Sequence, residues 1–189
     1  LYQWLFSKKY EVVLTEEPGG TQIGLRIREL LLSVEHKDMT SLTELLLYNS
    51  SRAQHLYEII IPAIRRGAVV ITDRFSDSTV AYQGYGRGID LNLIASIDKI
   101  VTGNMKPDLT ILLDLDAGTG LKRNRGINKT DRLELEDLDF HQRVRNGYHE
   151  IAARERGRIR LIDASGNVEE VQDRIIAVVT DFIRSYGTK

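Results

Sequence analysis

Cysteine is absent from the chain, which excludes disulfides and thiolate metal sites. Long apolar runs are absent too: nothing approaches the roughly 20 residues that a membrane-spanning helix needs. No signal-peptide pattern opens the chain, and the expectation is a cytoplasmic protein without a membrane partner. Neither sign of charge predominates, with 26 Lys and Arg against 27 Asp and Glu. That balance gives no global field toward nucleic acid or membrane, so nucleic acid is not an expected partner and any anion site has to be local. Histidine is sparse. His36, His55, His141 and His149 show no metal-ligand spacing and read as surface or helix residues. Internal repeats and a domain linker are missing as well.

What is present suffices for one domain. The chain has 189 residues, 42% of them hydrophobic, enough for a sizeable core. Short β-branched runs at 11–15, 68–73, 109–115 and 158–163 read as strands. Helices are expected over 1–9, 23–34, 41–63, 90–103, 117–123, about 136–156, and 168–186. Ile23, Ile27, Leu30 and Leu31 are at core spacing, and Leu45, Leu46, Ile59 and Ile60 are expected to face inward. Ser41-Leu42-Thr43-Glu44 has the form of a capping box. Pro62 is expected to bend or end the helix that it opens. Alternating strands and helices imply right-handed βαβ crossovers and an α/β fold, a parallel sheet covered on both faces.

The stretch from Asp73 to Gly88 organises the rest. It follows the apolar run Ala68–Thr72, which reads as a buried parallel strand. Ligands of open parallel sheets bind outside the carboxyl ends of the strands, and Asp73 and Arg74 sit at such an end. An acid beside a fixed cation suits a metal-bound phosphate. Just beyond, Ser78, Thr79, Tyr82 and Gln83 offer a ring, an amide and hydroxyls, which is what a base-reading pocket needs.

Asp73-Arg74-Phe75, then Ser78 and Ala81-Tyr82-Gln83-Gly84, with Thr15-Glu16-Glu17-Pro18-Gly19-Gly20-Thr21 upstream, resembles bacterial thymidylate kinase. The resemblance covers nearly the whole chain, with the motifs in the family's order. It implies a P-loop kinase fold of three layers with about five strands, and a single nucleoside monophosphate kinase domain over 1–189. The first strand and the glycine-rich phosphate loop are expected upstream of Leu1, about twenty residues for a strand plus a GxxxxGK[ST] loop. That strand would lie between those at 68–73 and 109–115, and without it two half-sheets would remain.

The activity implied is transfer of the γ-phosphoryl of ATP to dTMP, giving dTDP and ADP in dTTP synthesis, with Mg²⁺ accompanying ATP. Arg74 is then expected beside the acceptor phosphate. Asp73 is expected on Mg²⁺ through water, or as a helix N-cap. Glu17 matches the family acid near metal and acceptor nucleotide, although a plain Pro-Gly-Gly turn would look the same. Glu16 stands where the family usually has arginine. Tyr48 and Arg52, four apart on one helix face, match an aromatic stacking on thymine and an arginine contacting the nucleotide. A core aromatic is the alternative for Tyr48. Arg28 matches a position flanking the base or is a solvated helix residue. Tyr82 would lie under the deoxyribose, Gln83 and Thr79 would hydrogen-bond the thymine edge, and Ser78 would support them.

The basic segment at about 122–133 resembles the family lid, with Arg123, Arg125 and Arg132 as candidate cations for the transferred group and Arg123 also for adenine. A solvated charge run paired with Glu134, Glu136 and Asp137 is the alternative. Ala164, Ser165 and Gly166 match the backbone that holds adenine in related kinases. A homodimer packed through helices is implied. The rival readings are a catalytically silent nucleotide-binding relative and a P-loop kinase for another deoxynucleoside or nucleotide.

Overall fold

The computed structural model describes residues 1–125 and 131–186, the side chains of Asn124 and Arg125 excepted. Four strands are described: β1 (Val12–Thr15), β2 (Val69–Thr72), β3 (Thr110–Asp114) and β4 (Ile159–Asp163). They pair as two parallel ladders. β1 runs beside β2 with Thr15 opposite Thr72. β3 runs beside β4 with Asp114 opposite Asp163. Among the described residues no strand joins one ladder to the other, so the strands form two parallel pairs, the two half-sheets expected of them without the upstream strand. Both pairs present their carboxyl ends as ladder-end residues, and the motif residues follow directly from them.

The helices are α1 (Tyr2–Ser7), α2 (Gln22–Leu32), α3 (Ser41–His55), α4 (Ile61–Arg65), α5 (Ser76–Thr79), α6 (Leu91–Thr102), α7 (Ala117–Arg125), α8 (Leu138–Arg154) and α9 (Val168–Tyr186). No described helix is long and apolar enough to cross a membrane. Their ends follow local chemistry. Asp90 caps α6 through Asn92 N, and Gly103 ends it at φ 62°, a left-handed conformation that glycine adopts without a steric penalty. Asp137 caps α8 through Phe140 N.

One expectation fails at α3. Its cap is Thr40, whose side chain accepts from Thr43 N, so Ser41-x-x-Glu44 is not a capping box. Of the bend or end expected at Pro62, the end is not seen: the helical path runs on to Arg65. A π-helical turn, Leu56–Ile60, connects α3 to α4. Proline lacks an N–H and crowds the carbonyl four residues back, and the wider π turn relieves that crowding. A second π segment, Val80–Gly86, continues α5.

The core gathers where α8 crosses that segment. Ala81, Phe140, Val144, Ile151 and Ile159 form one cluster, and Leu56, Ile60 and Phe75 form another. The crossing is close because two glycines lie in it. A Cβ on Gly86 would meet Phe140 at 2.8 Å, and one on Gly147 would meet Tyr85 at 2.7 Å. Of the residues at core spacing, Leu31, Leu45 and Ile60 are buried, whereas Ile23, Leu30 and Leu46 are exposed. The helices thus carry a narrower buried stripe than their apolar content suggests.

Candidate active site

The carboxyl ends of β1 and β2 lead into two loops that are tied together. Glu17 N donates to Asp73 Oδ1 at 2.8 Å. The Glu17 carboxylate turns inward. Its Oε2 accepts from Arg52 Nε at 2.8 Å and its Oε1 lies 3.0 Å from His55 Nδ1. His55 Nε2 is in turn 2.6 Å from Thr15 Oγ1. Arg52 goes on to donate from Nη1 to Thr79 Oγ1 at 2.9 Å and rests over the Phe75 ring, 5.3 Å from its centroid. Glu17, Arg52, His55 and Thr79 are all buried. One network therefore joins β1, α3 and the motif helix. Each Glu17 oxygen has one partner, so the carboxylate anchors this network. Glu17 is the network's centre, and His55, read from sequence as a surface or helix residue, is a fully buried residue of α3 that links Glu17 to Thr15.

Asp73 and Arg74 remain solvent-accessible at the strand end. Arg74 is open to solvent yet surrounded by aromatic groups, as a residue lining a cleft is. Its guanidinium carbon lies 5.0 Å from the Tyr82 ring centroid, within cation–π range. Its Nη2 reaches Tyr82 Oη and its Nη1 reaches Tyr148 Oη, each at 3.4 Å. Tyr148, on α8, also shares a 2.8 Å hydrogen bond with Ser78 Oγ. Burial raises the pKa of Tyr148, so the hydroxyl stays protonated. Tyr48 is similarly raised, by burial and then by Glu44, and it lies within electrostatic range of Arg74, Tyr82 and Arg132.

A second buried knot lies behind Gln83. Glu44 accepts from Gln83 Nε2 at 2.9 Å, from Arg87 Nε and Nη2 at 3.1 Å each, and pairs with Arg132 Nη2 at 2.6 Å. Arg87 also pairs with Glu136 at 2.7 Å and covers the Phe140 ring, 4.7 Å from its centroid. Arg132 donates from Nε to Leu31 O at 3.1 Å. Arg132 is therefore buried and engaged in this structure, not free as a lid cation is expected to be. Arg28 donates to Pro18 O at 2.7 Å and pairs with Glu16 at 3.5 Å. Glu16 thus meets a cation from α2.

At the end of β3 and β4 a cleft of about 230 Å³ is lined by Asp114, Asp116, Thr119, Arg123, Arg145 and Ser165, among others. Arg123 donates to Ala164 O at 3.1 Å and to Ser165 O at 3.3 Å. Three of the residues expected around adenine thus come together. Gly166 follows them, packed beside Glu170. Asp114 accepts a bidentate pair from Arg145 at 2.8 and 2.9 Å and lies 3.0 Å from His149. The Arg145 hydrogen bond, against an opposing effect of burial and with help from His149, holds its pKa down at about 2. The Arg125 side chain and residues 126–130 of the expected lid lie outside the described residues.

A family model for thymidylate kinase matches residues 1–175. The thymidylate kinase of Gloeobacter violaceus is 47% identical, covering 100% of this chain and 90% of the relative. The chain belongs to the thymidylate kinase family. The thymidylate kinase of Geotalea daltonii is 46% identical over 97% of this chain and 87% of the relative. The crystal structure of thymidylate kinase from Ehrlichia chaffeensis superposes with a TM-score of 0.77 at 33% identity, covering 95% of this chain and 88% of that one. The fold is accordingly the α/β P-loop kinase fold of this family.

Sequence reasoning missed Glu44, His55, Arg87 and Tyr148. For His55 a signal existed: Arg52 and His55 lie three apart, on one helix face, among apolar neighbours. Two polar groups on a buried stripe call for a partner. For Tyr148 and Arg87 the partners lie far along the chain, and no local pattern pairs them.

Proposed function

We infer that the chain transfers the γ-phosphoryl of ATP to the 5′-phosphate of dTMP, giving dTDP and ADP. The observation that carries this is the membership in the thymidylate kinase family across the chain, with Asp73 and Arg74 at the carboxyl end of β2. Two polyanions have to be aligned, and catalysis of that kind is positioning plus charge neutralisation. Arg74 supplies the fixed cation beside the acceptor phosphate. Tyr82 and Tyr148 hold its guanidinium without neutralising it, so its charge is available to phosphate. Arg123, at the β4 end, serves the ATP side with Ala164 and Ser165, and stacks on adenine. Residues at about 122–133 act as the lid of a single kinase domain, supplying Arg125 and Arg132 to the transferred group, the latter after release from Glu44.

The acceptor side is built on the buried networks. Arg52, held by Glu17, fixes Thr79. Gln83 stands one turn further on, and the two read the base edge. Tyr48 stacks on the thymine, Tyr82 lies under the sugar, Ser78 braces them through Tyr148, and Arg28 flanks the base.

For Mg²⁺, the described residues hold no group of three or more acidic or histidine side chains suited to a metal. An exposed Asp73, with one oxygen committed to Glu17 N, fits instead an ion that keeps most of its waters and is carried by the nucleotide phosphates. Asp73 would hold it through water, and Glu17, with one partner on each oxygen and a lone pair left on each, would be the second acid reaching it through water. The ion, when bound with ATP, neutralises phosphate charge. A homodimer packed through helices belongs to this reading. It is supported by exposed Leu42 and Leu46 on α3 and by Leu93 and Ile100 on α6, which packs against α3.

Rates with dTMP, dUMP and thymidine as acceptors test the assignment. Turnover with dTMP well above the other two is expected. Preference for thymidine would reassign the chain to a nucleoside kinase.

A further inference from the structure

Glu44 is fully buried, and phosphoryl transfer makes no use of it. Its carboxylate collects the donors of Gln83, Arg87 and Arg132. Burial favours its protonated form, but hydrogen bonds from Arg87 and Gln83, with Arg132, outweigh that and hold the carboxyl below its ordinary value. An ionised carboxylate can only accept. Gln83, itself 1% exposed, must therefore turn Nε2 to Glu44 and Oε1 the other way.

Thr79 is not fixed in this way. Arg52 can only donate, and Thr79 Oγ1 accepts from it, which leaves the hydroxyl its proton and a second lone pair, so it serves either a donor or an acceptor. Thr79 and Gln83 lie four residues apart, a spacing that shares one helix face. Of the two buried groups, the Gln83 amide is the one whose polarity is set, and Glu44 sets it.

We propose that Glu44 is a specificity-positioning residue: by fixing the Gln83 amide beside the Thr79 hydroxyl, it makes the acceptor site complementary to a 4-keto pyrimidine and mismatched to a 4-amino pyrimidine. Thymine presents O4, an acceptor, beside N3–H, a donor, which suits a hydroxyl donor and an amide carbonyl. Cytosine presents the 4-amino donor beside an N3 acceptor, the reverse order. Turning the Gln83 amide over would reverse the selection, and the charge on Glu44 forbids that turn. This rests on the reading that Gln83 contacts the base.

Glu44→Gln keeps the shape but can donate as well as accept, so the Gln83 amide becomes free to flip. The test compares kcat/KM for dTMP and dCMP in the wild type, E44Q and Q83A. The dTMP-to-dCMP ratio is expected to fall about ten- to hundredfold in E44Q, the scale of one mispaired buried group. Because it is a ratio, a smaller folded fraction does not alter it. No change in E44Q with a fall in Q83A overturns the role of Glu44 and leaves Gln83 as a base reader. No change in either removes Gln83 from the base and the proposal with it. A fall in E44Q alone overturns Gln83 as the route. Should E44Q not fold, E44Q/R87Q removes one charge of each sign and is expected to show the same fall. A wild-type measurement stands beside these. The side-chain amide of Gln83, assigned by its loss in Q83A, is expected to show one proton protected from exchange in the ¹⁵N spectrum. Rapid exchange of both protons contradicts the fixed amide.

Discussion

Arg52 Nε donates to Glu17 Oε2 at 2.8 Å, and the two side chains are 2% and 3% exposed. One residue comes from the turn after β1 and the other from α3, and the pair carries Thr79 and His55 with it. Breaking a buried ion pair by removing one partner costs about 3–5 kcal/mol, a large part of a domain stability of roughly 5–15 kcal/mol. Glu17→Gln is therefore expected to lower unfolding stability by about 3 kcal/mol or more and to weaken dTMP binding through Thr79. Urea unfolding and dTMP titration measure the two. A stability loss under about 1 kcal/mol would place this pair among the weak surface bridges.

Arg74→Ala is expected to lower kcat by about 10²–10³ while leaving the fold intact, because the guanidinium is open to the cleft and not part of the core. Tyr148→Phe removes one hydroxyl from the arginine and from Ser78. A smaller loss, about tenfold or less, is expected from one hydrogen bond of net 0.5–1.5 kcal/mol. Steady-state kinetics with a circular dichroism control check both. Near-normal turnover in R74A would exclude the arginine from the reaction.

Much of this architecture is legible in the sequence because its causes are local. The β-branched runs that become β1 to β4, Asp90 and Gly103 at the ends of α6, and Asp73-Arg74 at a strand end all follow from neighbours in the chain. Glu44 shows where local reading stops. Ser41-x-x-Glu44 has the spacing of a capping box, yet Thr40 takes the cap. The helix then begins one residue earlier than such a box implies, and Glu44 falls on the buried stripe, where only tertiary contacts with Arg87 and Arg132 make it tolerable. The same holds for Arg132. Its basic surroundings read as a solvated or catalytic lid, but the fold brings it under α2 and onto Glu44.

Asp114 gives a pH signature. Its pKa is held at about 2 against an ordinary 3.8, chiefly by the Arg145 hydrogen bond. A carboxyl depressed on folding contributes stability that is present above the unfolded value and lost as pH falls through the folded one. Asp114→Asn is expected to be less stable than the wild type by about 1–2 kcal/mol near neutrality. The difference should shrink as pH falls from about 4 to about 2. Urea midpoints across that range test it, and a constant difference would contradict the pairing.

Asp73→Asn is expected to raise the Mg²⁺ concentration needed for half-maximal turnover several-fold, with the fold retained, since the amide still accepts from Glu17 N. Turnover titrated with Mg²⁺ at fixed ATP checks this. An unchanged Mg²⁺ dependence would leave Asp73 with only its hydrogen bond to the β1 turn.

The most direct test of the whole account is ADP formation from ATP and Mg²⁺ by the full-length protein, with and without dTMP. ADP release that depends on dTMP, with dTDP formed in equal amount, is the expected result. Binding of dTMP without ADP or dTDP formation would contradict the kinase assignment and mark the chain as a catalytically silent member of its family.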